Sequence, residues 1–121
     1  MVAQEPKIFD LAHALEIFDG NRRILRTVIG NFLSDLPRDL DGLVQAAKRQ
    51  DAPEVRHLAH RMAGAAGMIG AMRFMAWARK LEISSTGTLP DSAPDQARRL
   101  RDEFELFKKA VAEDGAHDGK P

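Results

Sequence analysis

The chain has 121 residues, 44% of them hydrophobic and 30% charged, with a formal net charge of zero. That length suits one domain with a modest core, and the composition excludes a disordered chain. The charge balance lacks the basic excess of a nucleic-acid binder, and the absence of cysteine excludes disulfides, thiol catalysis and cysteine-based zinc sites.

Met1 to Asp10 is charged and has no apolar signal-peptide core, and no apolar run reaches transmembrane length. A cytoplasmic protein with no membrane or nucleic-acid partner is therefore expected. The spacing of Phe9, Leu11, Leu15 and Phe18 predicts a short helix from Lys7 to Phe18, and Asp19-Gly20-Asn21 breaks it, with Asn21 a ready N-cap. From Asn21 to Arg49 the apolar residues Leu25, Ile29, Phe32, Leu36, Leu40, Leu43 and Ala47 recur at helical spacing. Pro37 is expected to kink or split this stretch. Asp51 and Pro53 then open a helix that runs to Ile69. A further helix carries Met72, Phe74, Met75, Trp77 and Leu81, and Ser84 to Pro90 reads as a loop. Ser92 and Asp95 resemble a capping box ahead of a last helix whose stripe is Ala97, Leu100, Phe104, Phe107 and Val111. Strand signals are weak. The expectation is an all-α fold, an antiparallel up-down four-helix bundle with one or two short additional N-terminal helices. One domain spans residues 1–113, and residues 114–121 form a small, polar, flexible tail.

The stretch from Asp51 to Glu82 carries the chemistry. The seam Val55, Leu58, Met62, Ala66 and Ile69 is of bundle type. At about 100° per residue, His60 falls roughly 160° from the centre of that seam and is expected to face solvent. Arg56, His57, Gly64, Gly67 and Ala71 are assigned to the same outer face. Two glycines inside a helix each cost about 0.5–1 kcal/mol relative to alanine. An ordinary solvated face would carry Glu, Lys or Gln there. Their placement strips the surface beside the imidazole and gives a partner access to it.

Ala59-His60-Arg61-Met62-Ala63-Gly64-Ala65-Ala66-Gly67-Met68-Ile69-Gly70, followed by Leu81-Glu82, resembles the motif of the histidine-phosphotransfer (HPt) domains. Phe32 to Leu43 resembles the helix pair that precedes the motif, so the likeness covers approximately Asp19 to Val111. The resemblance implies a phosphocarrier without turnover of its own. His60 would take a phosphoryl group from a receiver-domain phosphoaspartate and pass it to another response-regulator receiver. It implies a hybrid histidine kinase and receivers as partners. It implies Mg²⁺ on the receiver and no cofactor or metal on this chain. Where the family commonly has a lysine three residues after the histidine, this chain has Ala63. Arg56, with the helical side chains leaning toward the N-terminus, is the preferred substitute counter-charge, and Arg61 and Arg73 are further candidates. Gly64, Gly67, His57, Met68 and Ala71 form the expected docking patch, with Arg56 and Arg61 at its rim.

Other readings compete. An exposed histidine without context is ordinarily a bystander, and His13 and His117 are read so. His57 and His60 share a face, but nothing convergent supports a metal site. The chain could also be a helical interaction module that binds a receiver or kinase without being phosphorylated. A kinase dimerisation helix pair lacks its proline-containing motif and a following ATP-binding domain. Met62, Met72 and Met75 read as core fillers, Trp77 as core or rim, and Arg98-Arg99 and Lys108-Lys109 as solvated faces. A monomer is expected.

Overall fold

The computed structural model describes residues 5–114. Five helices and no strands occur among them: α1 (Leu11–Ile17), α2 (Arg22–Lys48), α3 (Ala52–Met68), α4 (Met72–Ser84) and α5 (Ala93–Asp114). Helix α2 packs on α3 and α5, and α4 packs on the same two helices, which closes a four-helix ring with short connections. The expected all-α bundle with one short N-terminal helix is observed. The tail and His117 lie outside the described residues, apart from Asp114, which ends α5. No helix among them is long and apolar enough to cross a membrane.

The helix boundaries follow from local hydrogen bonding. Asp10, Asn21 and Asp51 each accept a backbone N–H three residues on, at 3.0, 3.0 and 3.2 Å, and so cap α1, α2 and α3. Asp51 also closes α2, because its N–H donates to the Ala46 carbonyl at 2.9 Å after the left-handed residue Gln50. Helix α3 ends in the same way. Gly70 is left-handed, with φ of 79°, and the Ala71 N–H donates to the Ala66 carbonyl at 3.0 Å. Only glycine fits there, since a β-carbon would collide with the Asp10 carbonyl oxygen. Ala71 offers α4 no side-chain cap. The N-terminal segment supplies one instead, with the Lys7 carbonyl accepting from the Arg73 N–H at 2.9 Å.

Four differences from the expectations have physical causes. The first helix covers Leu11–Ile17 rather than Lys7 to Phe18, because residues 7–10 run along the α3–α4 turn and bond to it. Of the two outcomes expected at Pro37, a kink or a split, the split does not occur, since α2 is continuous. The proline ring sits on the exposed side, where water can reach the Leu33 carbonyl that lacks its partner, and nine buried residues hold the helix on both sides. The capping box at Ser92 does not form; Ser92 Oγ accepts from Gln96 Nε2 at 2.9 Å. Arg99 is not merely solvated. Its guanidinium lies over the Trp77 ring, and its Nε donates to Glu103 at 3.1 Å.

The core is built around Phe32 of α2. Its ring meets Phe74 of α4 at 5.8 Å, and Phe104 and Phe107 of α5 at 6.0 and 5.7 Å. The contacts to Phe74 and Phe107 are edge-to-face and that to Phe104 is tilted, and such ring pairs add to the area buried by each ring. Phe9 extends the cluster, meeting Phe107 at 5.5 Å, and so pins the N-terminal segment to the bundle. Helix α3 packs on α2 and α4 through its own buried residues Val55, Ala59, Met62, Ala63 and Ala66, which sets the face that it turns outward.

Candidate functional site

His60 is exposed on α3, with 69% of its side chain open to solvent. The buried arc of α3 is broader than the expected seam, since Ala59 and Ala63 are also fully buried. The arc is thereby extended toward α4. His60 stands at its edge, about 125° from the centre, rather than opposite the core. That position brings the ring against Glu82 of α4, with His60 Nδ1 2.7 Å from Glu82 Oε2.

This contact sets the tautomer. A carboxylate only accepts, so Nδ1 donates, and the lone pair of the neutral ring lies on Nε2. Glu82 is anchored by α4 and is the less exposed partner, 24% open against 69%. It holds the imidazole from one side, an arrangement in which a carboxylate can orient a histidine and support positive charge on it. Sequence reading had Glu82 only as part of a motif. Its role needed the antiparallel register of α3 and α4, and the available signal was the stripe Met75, Arg79, Glu82 at helical spacing on α4.

The two glycines differ. A β-carbon at Gly64 would meet nothing within 4 Å, so the helix surface one turn after His60 is bare. Gly67 is half-buried and turned toward α4, where a β-carbon would stand 2.9 Å from Met75 Sδ. Its smallness serves helix packing rather than access. Ala71 is fully buried at the start of α4 and does not belong to the outer face, because the turn at Gly70 carries it inward. His57 and Met68 are exposed on α3 beside this face.

The candidate counter-charges are also placed. Arg56 is exposed one turn before His60. Arg61 is exposed and reaches α2, with Nη2 3.4 Å from Asp39 Oδ2. Arg73 does not approach His60. Its Nε lies 3.0 and 3.2 Å from the two oxygens of buried Glu103 and its Nη1 lies 3.8 Å from Glu5, at the α4–α5 side of the bundle. On the side of α3 that faces α2, the two helices enclose a groove of about 270 Å³ whose lining includes Arg61 but not His60. Phe32, Leu36, Met62, Ala65, Met68 and Ile69 give it an apolar floor, and Asp35, Asp39 and Arg61 stand at its edge.

Comparison with curated proteins and with solved structures gives no match. Among protein families, the Hpt domain model matches residues 27–110, which includes α3, α4 and the His60–Glu82 pair. An exposed histidine on a helical bundle, matched over most of the chain by that model, makes this protein a member of the Hpt domain family, the phosphocarriers of two-component signalling.

Proposed function

We propose that His60 accepts a phosphoryl group from the phosphoaspartate of a receiver domain and passes it to the aspartate of another response-regulator receiver. The observation that carries this reading is the exposed imidazole whose Nδ1 is tied to Glu82 at 2.7 Å. The Nε2 lone pair attacks phosphorus, a nitrogen–phosphorus bond forms, and the bond to the aspartyl oxygen breaks, releasing a carboxylate. The ring keeps its Nδ1 proton and becomes an N-phosphoimidazolium, whose positive charge the Glu82 carboxylate stabilises. The reverse sequence delivers the group to the next receiver. Phosphoryl transfer rests on positioning and charge neutralisation, so little covalent machinery is needed. In this reading Mg²⁺ and the acidic cluster belong to the receiver, and a hybrid histidine kinase stands upstream. The exchange takes place in the cytoplasm.

Docking would use the groove between α2 and α3, whose apolar floor suits an apolar helix of the receiver. Met68, 47% exposed, offers a flexible apolar contact there, and the bare surface at Gly64 leaves the approach to His60 open. The test is transfer from a panel of phosphorylated receivers to the wild type and to His60→Gln. Acid-labile phosphate on the wild type alone supports the reading, and no acid-labile label across the panel overturns it.

A further inference from the structure

We propose that Arg79 of α4 binds the phosphoryl group carried by His60, an inference that rests on the phosphoacceptor reading above. Two contacts fix the register of the antiparallel pair α3 and α4. His60 Nδ1 meets Glu82, and the β-carbon position of Gly67 meets Met75 Sδ at 2.9 Å. Between His60 and Gly67 on α3 lie Ala63 and Gly64, and between Met75 and Glu82 on the same stripe of α4 lies Arg79. Arg79 therefore stands across from Ala63 and Gly64. Ala63 is fully buried and carries no charge, and Gly64 has nothing within 4 Å of its β-carbon position. Neither Ala63 nor Gly64 carries a long side chain that could stand between Arg79 and the imidazole.

The electrostatics of the phosphorylated ring call for a cation at this place. The phosphoryl group carries close to two negative charges, and it forms beside the Glu82 carboxylate. Without a counter-charge these like charges would oppose phosphorylation. Of the neighbouring cations, Arg61 is engaged with Asp39, Lys80 lies over the Trp77 ring, and Arg73 is held by Glu103. Arg79 is exposed and takes part in none of the ion pairs among the described residues. Its natural i,i+3 partner Glu82 is occupied by His60. An arginine side chain spans one helical turn, about 5.4 Å, which is the separation between the levels of Arg79 and Glu82. Its planar fork can give two parallel hydrogen bonds to phosphoryl oxygens. Arg56 also lacks a partner among those ion pairs and stands one turn before His60 on α3, so it is the competing cation that the experiment has to separate from Arg79.

The experiment uses the full chain phosphorylated chemically with phosphoramidate, compared among wild type, Arg79→Ala, Arg79→Lys, Arg56→Ala and His60→Gln. One readout is the pH titration of the phosphoryl ³¹P resonance, and the other is the rate of transfer to a receiver. An adjacent cation favours the dianion, so Arg79→Ala is expected to move the phosphoryl titration to higher pH. The same variant is expected to slow transfer about tenfold, as loss of one charge-assisted hydrogen bond does. Arg79→Lys restores part of both, and Arg56→Ala resembles wild type. If Arg79→Ala titrates and transfers as wild type does, or if Arg56→Ala takes its place, the Arg79 inference is overturned while phosphorylation of His60 stands. If wild type takes no label, or His60→Gln labels equally, the phosphoacceptor reading fails and Arg79 falls with it. Circular dichroism of each variant verifies the fold, which exposed Arg79 does not support.

Discussion

His60 of α3 and Glu82 of α4 meet at 2.7 Å across the α3–α4 interface, and the carboxylate holds the ring by Nδ1. Replacing Glu82 removes both the orientation of the ring and the charge that supports the phosphoimidazolium. Glu82→Ala is expected to slow phosphorylation of His60 about 10- to 100-fold, the value of a hydrogen bond to a charged group. Glu82→Gln keeps an acceptor for Nδ1–H without the charge and should fall between. An exposed pair adds little to folding, so the urea midpoint should correspond to a change of about 1 kcal/mol or less. Nitrogen-15 spectra of the imidazole give an independent check. The neutral ring should be protonated at Nδ1 in wild type and shift toward the Nε2-protonated form in Glu82→Ala. An unchanged tautomer would show that Glu82 does not set it.

The two glycines of α3 are expected to respond differently to the same substitution. Gly64→Ala adds a methyl group into open space and removes glycine's backbone entropy, so it should stabilise the fold by about 0.5–1 kcal/mol. Gly64→Trp should leave the fold intact but cut receiver transfer about tenfold or more, because the indole covers the approach to His60. Gly67→Ala forces the Met75 thioether to move from 2.9 Å. That end of the side chain is flexible, so the cost should cancel the propensity gain and leave stability within about 0.5 kcal/mol of wild type. Gly67→Leu overpacks the α3–α4 interface and should cost about 1–3 kcal/mol. Urea unfolding of the four variants measures the contrast, and equal effects at both glycines would refute it.

Much of this architecture is legible in the sequence because apolar periodicity and caps act locally. The stripe Leu25, Ile29, Phe32, Leu36, Leu40 and Leu43 is buried throughout, and Asn21 and Asp51 cap as their positions suggest. The outward face of His60 follows from the same periodicity. What the sequence hides is the meeting of elements. Nothing local tells that Gly67 faces Met75, that Ala63 is buried by a neighbouring helix, or that Arg73 is held by Glu103 instead of approaching His60. Those facts depend on the register of two helices across a turn, and that register is set by Gly70 and by the N-terminal segment docked on it. Ala71 is misjudged for the same reason. A wheel drawn past Ile69 continues a helix that the turn has already ended.

Glu103 is buried among α5's apolar residues, and its carboxylate lies within 3.2 Å of the Nε atoms of Arg73 and Arg99. Glu103→Ala would leave Arg73, whose side chain is only 22% exposed, without its main partner. Breaking a fully buried pair costs about 3–5 kcal/mol, and the partial exposure of both arginines reduces this to about 2 kcal/mol. Glu103→Leu fills the volume but strands the same cations, so it should recover less than half of the loss. A stability unchanged by Glu103→Ala would mean that water replaces the carboxylate without cost. Neither variant should alter transfer from His60, because the network lies at the α4–α5 side of the bundle.

Pro37 is the one proline inside α2 and works against its helix. It has no N–H to give the Leu33 carbonyl, and its ring crowds that carbonyl. A proline in a helix interior costs about 3 kcal/mol relative to alanine. Exposure reduces the burden here, since water can satisfy the freed carbonyl. Proline also restricts the unfolded chain, which returns about 0.4–1 kcal/mol to the folded state. Pro37→Ala is therefore expected to raise stability by about 1–2 kcal/mol, read as a higher urea midpoint at unchanged slope. His60 lies on α3 and its contact to Glu82 does not involve α2, so phosphoryl acceptance from phosphoramidate should be unchanged. Transfer from a receiver is the more sensitive readout, because Leu36 and Asp39, on either side of Pro37, line the α2–α3 groove. A bend at Pro37 that shapes the groove would make Pro37→Ala more stable yet slower in receiver transfer. A straight helix would leave both rates alone, and a loss of stability would show that the proline's local geometry is part of the bundle packing.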